Sequence, residues 1–200
     1  MWSVALLLAL HVLYVGITLW QVLPERRAAP FTLSDRFVLY LLTAEDPIFY
    51  FHGGVDYFRL NDAIRQYVDG PADGRGGSTI SMQLVKVLRG EHDRTLSRKY
   101  SQIVSAFLLE LAWRKKEILD SYLSVIPFAP GVIGIEAAAQ KFFSTTPAGL
   151  SDEQALILVL SIFDPGYFNP GLSEMPPDIR RRAIIIRSRA QRFESKLHPR

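Results

Sequence analysis

Between Trp2 and Pro24 the chain carries no Asp, Glu, Lys or Arg and is rich in Leu, Val, Ala and Trp. A run of that length, coiled as a helix, rises far enough to cross the hydrocarbon core of a bilayer. A cleaved secretory signal is the competing reading. It would want a basic start, a shorter apolar core and small residues at the cleavage point. None of these is clear, since Ala28-Ala29-Pro30 follows Arg26 and Arg27 and makes a poor cleavage point. A transmembrane anchor at residues 2–24 is the stronger reading, with a juxtamembrane linker at 25–33. In a chain of 200 residues this leaves room for one further domain. The charges Glu25, Arg26 and Arg27 follow the span, and nothing basic except the amino terminus precedes it. On that bias alone the body would stay in the cytoplasm.

The rest of the chain alternates helical periodicity with Gly, Pro and Asp breaks and shows no convincing strand alternation. Helices are predicted near 34–45, 56–68, 79–88, 96–113, 116–125, 132–143, 151–162 and 177–195. Ser151 with Gln154 forms a capping box, a specific start signal for the seventh of these. The Gly- and Asp-rich stretch 69–77 is the longest flexible segment and leads directly into a helix start. The predicted architecture is mainly α: one compact helical domain at 34–195 on a membrane helix.

There is no cysteine, which excludes a disulfide framework and thiol catalysis. The mild positive excess, 23 Lys and Arg against 20 Asp and Glu, is unevenly spread. It gathers at Arg94–Lys99, Arg114–Lys116 and Arg180–Arg192. Such clusters suit anionic lipid headgroups or phosphates. No nucleic-acid motif accompanies them.

Three constellations could carry chemistry. The first runs Glu45-Asp46-Pro47-Ile48-Phe49-Tyr50-Phe51-His52-Gly53-Gly54. Val38, Leu41 and Leu42 precede it at helical spacing, and Pro47 disfavours helical geometry at Asp46. Glu45 therefore ends a packed helix, fixed in direction and able to accept a proton. Asp46 reads as structural or orienting, and His52 as a turn-stabilising residue without the partner spacing of a metal site. No residue is assigned as a metal ligand.

The second is Gly76-Gly77-Ser78-Thr79-Ile80-Ser81-Met82-Gln83-Leu84-Val85-Lys86. Glycines allow close backbone approach, Ser78 or Thr79 can cap, and the new helix offers amide hydrogens to anionic oxygens. Thr79, Gln83 and Lys86 share one helical face, opposite Ile80, Leu84 and Val87. Alone, this is as readily a capped surface helix. The third is Arg94-Thr95-Leu96-Ser97-Arg98-Lys99-Tyr100-Ser101-Gln102, where Arg98 and Gln102 lie one turn apart. Its Arg and Lys can hold a pyrophosphate by charge-assisted hydrogen bonds, although a solvated basic face is the usual fate of such a cluster.

In this order, and with Lys116-Glu117-Ile118-Leu119-Asp120-Ser121-Tyr122-Leu123-Ser124 and Tyr167-Phe168-Asn169-Pro170 behind them, these blocks resemble the family 51 glycosyltransferases. Those are the peptidoglycan-polymerising domains of bifunctional penicillin-binding proteins and of monofunctional transglycosylases. The resemblance covers about Ser34 to Arg192, and the chain looks like the monofunctional type. It implies a lysozyme-like helical fold and polymerisation of lipid II, with release of undecaprenyl pyrophosphate. By that resemblance Glu45 matches the general base, and Lys86, Arg98 and Lys99 match the basic positions that neutralise the pyrophosphate. Arg94 replaces a commoner lysine, while Ser78, Thr79 and Gln83 match substrate-contacting positions beside Asp46. It further implies a divalent cation, Mg or Mn, as cofactor. Lipid II, the growing glycan, membrane lipids and other cell-wall synthesis or division proteins are the implied partners. It places the domain on the outer face of the bacterial plasma membrane, opposite to the local charge bias.

Four positions depart from the family pattern. Gln102 stands where a second, catalytic glutamate is usual, and an amide can neither hold negative charge nor take a proton. Met82 replaces a glutamine, Ser124 an asparagine and Ala129 a glycine. A catalytically impaired homologue, binding lipid-linked glycan or cell-wall partners in a regulatory role, is therefore the alternative reading. A hydrolase using Glu45 as general acid would want a second carboxylate across the bond, and Asp46, next in sequence, is badly placed for it.

Overall fold

The computed structural model describes residues 2–22, 30–61, 77–90, 95–171 and 174–197. The described residues form helices α1 (Trp2–Val22), α2 (Asp35–Glu45), α3 (Ile80–Leu88) and α4 (Leu96–Ala112). They continue with α5 (Lys115–Val125), strands β1 (Pro127–Ala129) and β2 (Val132–Ile133), and α6 (Ile135–Phe143). Helices α7 (Asp152–Phe163) and α8 (Pro177–Leu197) complete the chain. Where the sequence reads as one body, the fold divides into two compact units, each made of two separated stretches. One comprises Met1–Ala28 and Ile48–Tyr122, the other Ala29–Pro47 and Leu123–Arg200. The boundaries cut through the Glu45 motif and through α5, where no linker composition marks them.

In the first unit α3 and α4 pack together over Val55, Met82 and Ala106, with Leu60 and Ile103 against them. Thr79 and Thr95 cap the two helices, accepting from the amides of Met82 at 3.2 Å and Arg98 at 3.3 Å. Asp56 does the same for the helical residues 57–61, accepting from the Phe58 and Arg59 amides at 3.0 and 3.1 Å. The remainder of the helix predicted to 68 lies outside the described residues, as does Arg94. Helix α1 spans 21 residues and packs one face on α4. Val15 is buried there, Gly16 sits against Leu108, and the His11 and Tyr100 rings lie 5.5 Å apart. Among the described residues no helix is long and apolar enough to cross a membrane. Several side chains of α1 stand outside that set.

In the second unit α2 lies against α7 and α8. Ser34 caps α2, Phe37 and Leu41 are fully buried, and α7 contributes Leu156, Val159 and Leu160 to the core. Ile179, Ala183, Ile186 and Ala190 are the buried stripe of α8, at the spacing of one helical face. Polar ties bind the rim: Tyr40 Oη donates to Asp152 at 2.9 Å and Arg36 to Glu194 at 2.8 Å. The capping box of Ser151 and Gln154 is formed on both sides.

Two sequence expectations are corrected in this unit. A short antiparallel hairpin pairs β1 with β2, and the helix expected from 132 begins at Ile135. The hairpin turns at Gly131, whose φ of 72° favours glycine. Strands of three and two residues are too short to show alternation in sequence.

Candidate active site

The two units carry different parts of the predicted site, and each is built from local rules. In the second unit Glu45 is the last residue of α2, and Asp46 ends the helix with φ −156° and its amide bonded to Leu42 O at 2.9 Å. Pro47 thus stops the helix where the sequence predicts. Asp46 is fully buried, as befits a structural or orienting group. The Glu45 side chain keeps 14% of its surface, with Oε1 3.7 Å from Nη2 of Arg182 on α8. The Arg182 guanidinium itself lies 3.6 Å over the Phe163 ring. Stacking holds the cation in place while one edge faces the carboxylate. In the sequence Arg182 stands only as one member of the basic cluster Arg180–Arg192. Its separation from Glu45 along the chain left no signal of the pairing.

In the first unit the second and third motifs converge. Lys99 Nζ donates to Ser78 Oγ at 2.8 Å, joining the start of α4 to the segment that leads into α3. Burial first, and then the neighbouring charges of Arg98 and Lys86, together lower the Lys99 pKa to about 8. Arg98 and Lys86 are therefore like-charged neighbours of Lys99. Arg98 Nε is buried and has no hydrogen-bond partner among the described residues. Gln102, one turn on, is buried at 3% exposure, and Lys86 is exposed. Gln83 Oε1 accepts from Tyr122 Oη at 3.1 Å.

Thr79 serves the fold more than an external ligand. It is fully buried, caps α3 and donates to Gly54 O at 2.6 Å. Gly54 has φ 101°, and a Cβ there would stand 2.7 Å from Ala106 O. Its amide donates to His52 Nδ1 at 3.0 Å, which makes His52 the turn-stabilising residue expected. Met82 is also explained: it fills the core where the family pattern has a glutamine.

An acid whose side chain keeps only 8% of its surface, and which the sequence does not single out, anchors this turn. Glu110 Oε1 accepts from Ser81 Oγ and from Lys115 Nζ, each at 2.6 Å. His52 Nδ1 is 4.0 Å away, and Lys115 Nζ lies 4.5 Å over the Phe49 ring. Only the apolar surroundings of Glu110 in Phe107-Leu108-Leu109-Glu110-Leu111 hint at burial, and they do not name its partners.

The resemblance implies a divalent cation, and the donor set that the described residues of this unit offer around Ser78 does not suit one. Mg is usually held by one or two carboxylates together with substrate phosphates. Beside Ser78 stands Lys99, with Arg98 and Lys86 as its charged neighbours, and position 102 offers a neutral amide. Among the described residues no group of three His, Cys, Asp or Glu could hold a metal.

Such a terminal carboxylate and a cation-lined, hydroxyl-bearing cradle suit proton removal and the binding of an anionic leaving group. Comparison with known proteins agrees with that class. A family model described as Transglycosylase matches residues 22–191, and the chain belongs to this family. It is similar to the biosynthetic peptidoglycan transglycosylase of Agrobacterium fabrum, 39% identical over 70% of this chain and 62% of that protein. The protein of the same name from Brucella suis is 36% identical over 76% of this chain and 66% of its own length. That from Acinetobacter baumannii is 31% identical, over 76% of this chain and 68% of its own. The chain thus spans less than two thirds of the first two relatives.

Proposed function

We propose that this chain is a peptidoglycan glycosyltransferase that polymerises lipid II. The acceptor sugar's 4-hydroxyl attacks the anomeric carbon of the donor, and Glu45 takes the hydroxyl proton as the new bond forms. The bond to the lipid pyrophosphate breaks, and that group leaves with the electron pair. It needs charge neutralisation, which Lys86, Arg98 and Lys99 supply, aided by Ser78. The observation that carries this reading is the clustering of those three cations with Ser78, joined by the 2.8 Å bond from Lys99. Glu45, held at a helix end beside Arg182, supplies the base. General-base help of this kind contributes about 10²–10⁴-fold.

In this reading α1 is a single membrane anchor at the bacterial plasma membrane, with the rest of the chain on its outer face. A helix of 21 residues without Asp, Glu, Lys or Arg has the required length, about 31 Å. Exposed Phe51, Tyr57 and Phe58 in the same unit suit a bilayer interface.

The impaired, regulatory reading is favoured by one observation, the buried amide at Gln102. Polymerisation of labelled lipid II by the purified chain, beside Glu45→Gln and Gln102→Glu, separates the two. Polymer from the native chain that falls by about 10² or more with Glu45→Gln is the expected result. Polymer from Gln102→Glu alone marks an enzyme disabled at one carboxylate. Lipid II bound by both with no polymer from either would replace the enzyme by the regulatory binder.

A further inference from the structure

Resting on the pyrophosphate-binding role just proposed for the cradle, we infer that this site takes its diphosphate bare, balanced by Lys86, Arg98 and Lys99 and not by a divalent cation. Among the described residues, the acids of the same unit are engaged elsewhere. Each described carboxylate there already has a partner. Asp56 accepts from the Phe58 and Arg59 amides. Glu110 accepts from Ser81 and Lys115. Glu117 accepts from the Arg114 amide at 2.7 Å, and Asp120 from Lys116 at 2.9 Å. Freeing any of them for a metal would break a helix cap or an ion pair.

The groups around the cradle point the same way. Lys86 comes from α3, while Arg98, Lys99 and Gln102 come from the first two turns of α4. Three positive charges repel a metal ion and attract phosphate oxygens, and the amide at 102 brings no negative charge to offset them. The depressed Lys99 pKa, near 8, reflects both its burial and the strain of this like-charge crowd. A dication would add to that repulsion, whereas a diphosphate relieves it. The buried Arg98 Nε offers a donor with no partner among the described residues. In water Mg²⁺ binds diphosphate and cancels part of its charge, so the metal competes with this cradle instead of completing it.

The test is calorimetric binding of inorganic pyrophosphate to the full chain in detergent at neutral pH, first in EDTA and then in excess Mg²⁺. The expected result is binding in EDTA at least as tight as in Mg²⁺, lost with Arg98→Ala. Gln102→Glu should weaken binding in EDTA by about tenfold or more, because it places a negative charge in the cradle, and Mg²⁺ should restore it. Native binding that requires Mg²⁺, or is tighter with it, overturns this inference and leaves the cradle's pyrophosphate role standing. Absence of binding in both conditions overturns both. Binding in EDTA that survives Arg98→Ala places the ligand elsewhere and also overturns the inference.

Discussion

Two lysines of the same unit have opposite surroundings. Lys115 reaches into the interior and meets its counter-charge there, Glu110 at 2.6 Å, with the Phe49 ring beneath its ammonium. Lys99 is also partly buried, but its neighbours are Arg98 and Lys86, and its hydrogen bond goes to the neutral hydroxyl of Ser78. The first arrangement is complete as it stands. The second is costly until an anion arrives, since burial and like charge both oppose the ammonium. A structural cation is folded together with its partner, and a binding cation is folded without one.

Breaking the complete pair should give the largest effect on the fold. Lys115→Met leaves Glu110 buried with its cation removed, and should cost about 3 kcal/mol of stability by denaturant unfolding. Adding Glu110→Gln to that variant should recover part of the loss, because no unpaired charge then remains. If Lys115→Met unfolds like the native chain, the pair is not what fastens the turn at His52 and Phe49.

At the other lysine the fold should be indifferent and the ligand should not. Lys99→Met should weaken lipid II binding about 10- to 100-fold, the worth of one charge-assisted hydrogen bond. The unfolding midpoint should stay level or rise at neutral pH. The sign follows from proton binding. The unfolded chain holds the Lys99 proton up to about pH 10.5, and the folded chain holds it to about 8. Between those values the unfolded state binds more protons, so this group makes stability increase with pH. Below about 8 its burial counts against the fold throughout. A midpoint that falls sharply with Lys99→Met would class it with Lys115.

The smallest effect is the most specific. Lys99 loses its proton near pH 8 in the unliganded protein, and a bound diphosphate favours the charged form. Affinity for lipid II should therefore be fullest below about pH 8 and fall above it, by at most about tenfold per pH unit. Lys99→Arg should flatten that limb, since a guanidinium stays charged. A native profile flat from pH 7 to about 9.5 would remove Lys99 from the anion's contacts.

What the sequence disclosed, and what it did not, divides along the range of the interactions. Helix limits came within a few residues wherever a local device sets them: Ser34 and Thr79 as caps, Pro47 as a stop, Ser151 with Gln154 as a box. Glu45 fell at its helix end because apolar spacing and a proline both act within one turn. The pairing of Arg182 with Glu45, and of Lys115 and Ser81 with Glu110, was not readable. Those contacts depend on which helices pack, and charge alone names no partner. The division into two units was equally hidden, because each is assembled from separated stretches with no change of composition between them.

Gly53 and Gly54 look alike in sequence and are not alike in space. A Cβ at Gly53 meets nothing within 4 Å. One at Gly54 would collide with the Ala106 carbonyl, at a φ of 101° that side chains rarely adopt. In a library randomised at both codons and selected for folded protein, position 53 should accept most residues and position 54 should return glycine. The turn after Glu45 can thus vary at one residue and is closed to variation at the next.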